Sequence, residues 1–305
     1  MKKNEDNEIP TFSGFVAIVG RPNVGKSTLL NHILGQKVSI TSRKPQTTRH
    51  KIVGIKTVDN TQTIYVDTPG MHIQEPHMMN RYMNKTARNA LKDVDVVVFM
   101  VDGLRWTEED EMVFNLVSKI QRPIILVVNK VDQIAEKEIL LPYLASLAKK
   151  FNFEHIIPLS ARSGKNCEGL EQKIARCLPE GPFYYPEDQM TDRSPRFRIA
   201  EIIREKIIRA LGEELPYTTS VEIEKMKEEP KVYIISAIIW VERVGQKAIV
   251  IGEGGKRLKD VGIRARRDIE LLLNKQVHLK LWVKVKENWS DDERALKSLG
   301  YTDLD

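Results

Sequence analysis

"FVAIVGRPNVGKSTLLNHIL", residues 15–34, decides the architecture of the first half of the chain. Phe15 to Val19 is an unbroken apolar run of the kind that forms a strand buried on both faces. From Ser27 onward, "STLLNHIL" has the spacing of a helix. Between them, Gly20-Arg21-Pro22-Asn23-Val24-Gly25-Lys26-Ser27 fits the pattern G-x4-G-K-[ST]. In that setting the glycines let backbone N–H groups converge on phosphate, and the helix dipole favours an anion at the same place. Lys26 is expected to bridge the β- and γ-phosphates of a nucleotide, with the Ser27 hydroxyl on Mg²⁺ and Thr28 completing the cradle.

Working outward, further β-rich runs recur: "HKIVGIKTV" and "TIYVDT" about a "DNTQ" turn, then "DVVVFMVD", "PIILVVN" and "HIIPLS". The first two are expected to pair as an antiparallel hairpin. "TEEDEMVFNLVSKI" opens on the cap signature Thr107-x-x-Asp110, and "EGLEQKIARCL" is expected to be the last helix of this half. Alternating strands and helices predict an α/β, doubly wound, mostly parallel sheet with helices on both faces.

Three more short motifs end predicted strands, where ligands of open α/β sheets bind. In Asp67-Thr-Pro-Gly70 the carboxylate is placed to reach Mg²⁺ and the Gly70 N–H to meet the γ-phosphate. In Asn129-Lys130-Val131-Asp132, Asp132 can accept two hydrogen bonds from guanine. Adenine lacks both donors and would leave the carboxylate unpaired, which is a large penalty. Ser160-Ala161 is expected to offer a backbone N–H to the guanine O6.

These pieces, in this order, resemble the G1, G3, G4 and G5 elements of the small GTPase-like family. The resemblance implies GTP and GDP as ligands, with Mg²⁺ held by Ser27, Thr48 and Asp67. "SITSRKPQTTRHKIVGI" lies where that family keeps its first switch, and Thr48 is the implied switch threonine, with Thr47 the close alternative. The implied catalytic set is Lys26, Thr48, Asp67, Gly70 and Asn23. Many signalling members place Gln after D-x-x-G, but this chain has Met71, which cannot orient a water. His72 is adjacent and is a candidate for that task. By the same resemblance, Asn23 is expected to help hold K⁺ near the β,γ-bridge and so to make hydrolysis potassium-stimulated.

After residue 178 the texture changes. "LPEGPFYYPEDQMTDRSP" carries four prolines and no apolar period, so 179–195 reads as a linker. Its aromatics, Phe183, Tyr184 and Tyr185, are expected to pack against a domain. Next come the amphipathic "RFRIAEIIREKIIRAL", two β-rich stretches separated by "KEEP", and "VIGEGGKRLK". The segments "IRARRDIELLLN" and "VHLKLWVKVK" follow, an α-β-β-(α)-α-β order in which "KAIVI" suits either a strand or a helix.

Gly252-Glu253-Gly254-Gly255 is followed by Lys256, Arg257 and Lys259, then Arg264, Arg266 and Arg267. From Arg243 to Arg267, eight Lys and Arg face two acids, a local excess equal to the +6 of the whole chain. One-sided charge beside a glycine loop points to a polyanion. The order and the G-x-x-G resemble a type II KH domain, whose loop backbone lies against the sugar-phosphate chain of about four nucleotides. Glu253 departs from the neutral or cationic residue expected inside such a loop.

The paired architecture resembles the Era family of bacterial ribosome-assembly GTPases over nearly the whole length, about Phe15 to Tyr301. That resemblance implies an enzyme hydrolysing GTP to GDP and phosphate, with nucleotide state gating its hold on RNA. It further implies binding of the 16S rRNA 3′ end and the 30S subunit, and peripheral contact with the inner membrane. The expected organisation is a tail (1–12), a GTPase domain (13–178), the linker, a smaller α+β KH domain (196–287) and a C-terminal extension (288–305).

Bulk composition narrows the rest. No apolar run reaches the roughly 18 residues of a membrane span, and "MKKNEDNEIP" is expected to be a solvated tail with no signal-peptide character. Two cysteines, Cys167 and Cys177, fit neither a disulfide framework nor a zinc site. A cytoplasmic monomer is expected.

Overall fold

The computed structural model describes residues 10–42, 44, 46–71, 77–211, 218–299 and 301. The chain forms two compact units. The first comprises residues up to Val38 together with Lys51–Thr68 and Ala87–Asp192, and the second takes Ser39–His50, Pro69–Thr86 and everything from Arg193 on.

The first unit is built on a six-stranded sheet in the order β2-β3-β1-β4-β5-β6. Its strands are β1 (Phe12–Val19), β2 (Ile52–Val58), β3 (Thr61–Asp67), β4 (Val96–Asp102), β5 (Ile124–Asn129) and β6 (His155–Pro158). Only β2 runs antiparallel, paired to β3 as the hairpin predicted. β1, β4 and β5 are flanked by strands on both sides, so Val16–Val19, Val96–Val101 and Ile124–Val128 are buried without alternation. Helix α1 (Lys26–Leu34) leaves the phosphate loop, and α3 (Glu108–Val117) starts at Thr107, whose hydroxyl accepts from the Asp110 N–H in a capping box.

Helices α2 (Met78–Asn89), α4 (Leu140–Ala148) and α5 (Cys167–Ala175) complete the set up to residue 178. Of these, α2 and α4 are not singled out by periodicity. The first is mostly Met, Asn and basic residues, and the second carries Pro142 in its first turn, where a missing N–H costs little.

The predicted linker is no free tether. Gly181 N–H donates to Thr11 O, Ser13 Oγ to Pro182 O and Ile55 N–H to Met190 O, at 2.9, 2.6 and 2.9 Å. The buried Gln62 receives the N–H groups of Tyr184 and Tyr185 on one oxygen, at 2.9 and 3.0 Å. Residues 179–192 are thus a strap laid along β1, β2 and β3. Tyr184 packs on Phe15 with ring centroids 5.2 Å apart, and Tyr185 packs on Val53, Ile55 and Ile64, as expected of these aromatics.

In the second unit, α6 (Pro195–Ala210) begins at the Ser194 cap with proline in its first turn. It is followed by β7 (Ser220–Glu228), β8 (Val232–Val241), α7 (Val244–Ile251), α8 (Lys256–Leu273) and β9 (Gln276–Val285). The sheet order is β7-β8-β9, with β8 antiparallel to β7 and parallel to β9. Helices α6 and α8 cover one face, burying Ile199, Ile203, Ile235, Ala237, Ile239, Ala265 and Ile269. "KAIVI" is helix, anchored where Gln246 Oε1 accepts the N–H groups of Glu242 and Arg243. Helix α8 starts at Lys256, earlier than its apolar pattern suggests, because Gly255 (φ +75°) turns the chain straight into it. A short helix α9 (Glu293–Ser298) is the last among the described residues.

Candidate functional site

The phosphate loop has three residues in positive φ, Gly20, Asn23 and Gly25. A Cβ at Gly20 would stand 2.4 Å from Met100 O, and one at Gly25 would stand 2.2 Å from Asn129 Nδ2, so only glycine fits either place. Pro22, Val24 and Lys26 are buried, Arg21, Ser27 and Thr28 half-buried, and Asn23 stands exposed at the bend.

Lys26 Nζ donates to the carbonyls of Gly20 and Arg21, at 3.0 and 2.9 Å. Burial pushes its pKa down to about 8, against a smaller upward pull from Asp67. Ser27 Oγ donates to Oδ2 of the fully buried Asp67 at 2.7 Å. A hydroxyl and a carboxylate meeting at the mouth of a phosphate loop are the hard oxygen donors that suit Mg²⁺.

Asn129 links three motifs. Its Nδ2 donates to Val24 O in the phosphate loop at 2.7 Å, and its Oδ1 accepts the Ala161 N–H at 2.9 Å. The Ser160 N–H donates to Lys165 O. The Ala161 amide expected to face the guanine O6 therefore has Asn129 as its partner, so a base must share or exchange that bond. Lys130, at φ +63°, sends Nζ to Asp102 Oδ2 at 2.7 Å. Arg21 lies 3.6 Å from the same carboxylate and donates to the fully buried Asp110 at 3.0 Å. Asp102 and Asp110 thus tie the phosphate loop to the base-reading loop, and none of the nucleotide motifs contains them. Asp132, in the turn after Lys130, is exposed, so its carboxylate is stripped of water only when a base covers it.

Thr48, Gly70 and Met71 belong to segments grouped with the second unit. Thr48 and Met71 are buried and Gly70 is half-buried, while His72 lies outside the described residues. The Thr47 hydroxyl is engaged locally, 2.7 Å from both Lys44 O and Ser42 Oγ.

Within the second unit the first-switch segment meets α6 and Tyr301. Arg49 Nη1 donates to Thr219 O at 2.9 Å and to the Tyr301 hydroxyl at 3.3 Å. His50 stacks on Tyr301 at 4.6 Å and 12°, Arg204 donates to Thr47 O, and Glu205 Oε1 accepts the Thr41 N–H at 3.2 Å. From α2, Met79, Tyr82 and Met83 pack with Trp289, Leu296 and Tyr301.

At the glycine loop, Gly252, Gly254 and Gly255 all have positive φ, and a Cβ on Gly252 would meet that of Arg257 at 2.7 Å. Glu253 is exposed. Gly255, Leu258, Lys259, Gly262, Ile263, Arg266, Leu279 and Leu281 line a groove of about 390 Å³. The six predicted cations separate here. Lys259 and Arg266 reach the groove, although Arg266 also lies 3.8 Å from Glu270. Arg257 folds back onto Ile249 O, Arg264 pairs with Asp260 at 3.0 Å, and Lys256 and Arg267 are exposed outside it. The apolar floor, Leu279 and Leu281, has a signal only in the alternation of "HLKLWV".

The family described as 50S ribosome-binding GTPase matches residues 15–130, and the KH domain family matches residues 214–290. A GTPase Era of Marinobacter nauticus is 60% identical over 291 residues, covering 95% of each chain. The chain belongs to the Era family of GTPases. Another member, the GTPase Era of Haemophilus influenzae, is 57% identical over 294 residues, covering 96% of this chain and 97% of its own. The crystal structure of an Aquifex aeolicus Era variant bound to GDP and AlF4⁻ is 40% identical with a TM-score of 0.93, over 95% of this chain and 99% of that one. An Era complex with MgGDPNP and nucleotides 1506–1542 of 16S ribosomal RNA matches at a TM-score of 0.92, with the same identity and coverage. As an Era-family GTPase, this enzyme pairs a P-loop nucleotide domain with a KH domain.

Proposed function

We propose that this GTPase binds the 3′ end of 16S rRNA through its KH groove and acts in 30S subunit assembly and 16S maturation, with nucleotide state gating its hold on RNA. Mg²⁺ would be held by Ser27, Asp67 and, once the γ-phosphate is present, Thr48. There it neutralises phosphate charge, while Lys26 and the loop amides orient the γ-phosphoryl group.

The observation that carries this reading is the second unit. It contains Ser39–His50 of the first-switch segment and Pro69–Thr86 after Asp67 together with the KH fold, with Arg49, His50 and Tyr82 gathered on Tyr301. The first-switch segment, whose order would depend on the γ-phosphate and Mg²⁺, meets the KH fold where Thr41, Thr47 and Arg49 bond to Glu205, Arg204 and Thr219. The strap at 179–192 is pinned to the first sheet, so the switch contacts are the better route for the signal.

Two measurements test the proposal. Multiple-turnover phosphate release should rise when RNA carrying the 16S 3′ end is added, and RNA crosslinked in cells should be enriched in that sequence. Binding of GTP without turnover would favour a passive assembly factor, and recovery of random RNA or tRNA would overturn the assignment. We also propose that K⁺ stimulates hydrolysis through Asn23, exposed at the bend of the loop. Turnover should then be faster in K⁺ than in Na⁺, and Asn23→Ala should abolish the difference. The protein is proposed to act as a cytoplasmic monomer with peripheral contact to the inner membrane; none of the described helices is long and apolar enough to cross a membrane.

A further inference from the structure

Helices cover one face of the β7-β8-β9 sheet, and the strand registers lay out the other face row by row. Lys227, Ile234 and His278 form one row, and Lys225, Ser236 and Lys280 the next. Glu222, Ile238 and Trp282 follow, then Ser220, Trp240 and Lys284. Glu224, left over at the bulge in β7, lies 3.9 Å from Lys284.

The apolar residues run down the middle and the cations sit on both flanks. Glu222 is occupied by Trp240 Nε1 at 2.9 Å, which fixes that indole, and Lys284 lies 6.0 Å from its ring centre. Lys227 pairs with Glu229 at 3.1 Å. Lys225 and Lys280 have no acidic partner among the described residues and flank Ser236 on the same row. Two strand spacings put them about 10 Å apart, so each raises the potential felt by the other. On the edge strand, Trp282 is 57% exposed between Lys280 and Lys284. Those lysines stand about 13 Å apart along β9, four residues at about 3.3 Å each, so the indole lies midway between two cations on one face.

We propose that this open face is a second nucleic-acid platform, separate from the G-x-x-G groove, on which a single strand of RNA lies along β9 with a base stacked on Trp282 and phosphates on Lys225, Lys280 and Lys284. An exposed indole between lysines is the arrangement that holds unpaired bases without regard to sequence. A lipid surface would call for a protruding apolar edge. Here Trp282 lies within a pleated strand beside Ile238, which is buried. The proposal shares its ligand class with the RNA-binding reading above, but it uses none of the same residues.

The test uses the full chain with two fluorescein-labelled oligoadenylates, a 5-mer that fills the groove alone and a 20-mer that can also reach the open face. Trp282→Ala is expected to weaken the 20-mer about tenfold and to leave the 5-mer within about twofold. Lys225→Gln/Lys280→Gln should do the same and make the salt dependence shallower by about 1.4 in log–log slope. Lys259→Ala should weaken both oligomers. All of these side chains are exposed, and unchanged GTP binding checks that each variant is folded. Lys259→Ala weakening both oligomers while the open-face variants alter neither would overturn the platform and leave the groove reading standing. No binding of either RNA by the unaltered protein would overturn both. Loss of binding only to phosphatidylglycerol vesicles in Trp282→Ala, with RNA affinity intact, would overturn the platform in favour of a lipid surface.

Discussion

Asn129 and Asp132 stand three residues apart in one motif and do different work. Asn129 is a brace, since it holds Val24 and Ala161 through opposite ends of one amide. Asp132 is exposed and waits for a base. The types and spacing of the site residues were legible in the sequence, because each follows from what a phosphate or a guanine requires. The brace was not, because its partners lie 105 and 32 positions away along the chain. Asp132→Asn replaces one acceptor oxygen by a donor, so the variant should lose GTP affinity and gain xanthosine triphosphate affinity. Titration with both nucleotides checks this, and unchanged GTP affinity would remove the guanine assignment.

Lys26 makes a second prediction at the same scale. Burial lowers its pKa to about 8 in the nucleotide-free protein, and bound phosphates must raise it again. Above that pH the free protein has lost a proton that the complex retains, so binding takes one up and affinity falls by up to tenfold per unit, roughly. Calorimetry in buffers of different ionisation enthalpy should show proton uptake near pH 9 and almost none near pH 7. No uptake near pH 9 would mean that Lys26 stays charged in the free loop.

Among the elements, those whose periods are strong were legible, and β1, α1, α3 and α6 fall where apolar spacing and caps put them. The strap was not. Its prolines and polar residues carry no period, and its order comes from partners outside any local window, above all Gln62. That side chain is fully buried in β3, where its amide accepts from Tyr184 and Tyr185 and donates to Tyr185 O and Thr57 Oγ1. Gln62→Ala leaves the Tyr184 and Tyr185 N–H groups without this acceptor and Tyr185 O without this donor, a loss of about 1–3 kcal/mol. Hydrogen exchange should show the Tyr184 and Tyr185 amides losing protection far more than Val98 or Leu126 in the central strands. Equal protection in the variant would mean that the aromatic contacts alone hold the strap.

For the whole molecule, the unexpected feature is that the compact unit containing the KH fold also takes in Ser39–His50 of the first-switch segment and Pro69–Thr86. Tyr301 is its meeting point. It stacks on His50, meets Tyr82 edge-on at 5.4 Å, lies 6.3 Å from Trp289 and accepts from Arg49. Desolvation in this nest drives the His50 pKa down to about 3, with Arg204, Arg193 and Arg49 pushing the same way and Glu201 opposing. The unfolded chain therefore binds a proton at His50 between about pH 6.5 and 3 that the folded one refuses, so acid erodes stability across that window and the effect vanishes above it. Tyr301→Ala opens the nest to water, at a cost of about 3–5 kcal/mol, and should return the His50 titration towards the ordinary range. Tyr301→Phe keeps the ring and loses only the hydroxyl that Arg49 uses, so His50 should stay neutral well below pH 6. Histidine titrations of the two variants by NMR separate the roles of ring and hydroxyl. If His50 titrated normally in the unaltered protein, the switch segment would not be packed on Tyr301 in solution, and the coupling assigned to that contact would fail with it.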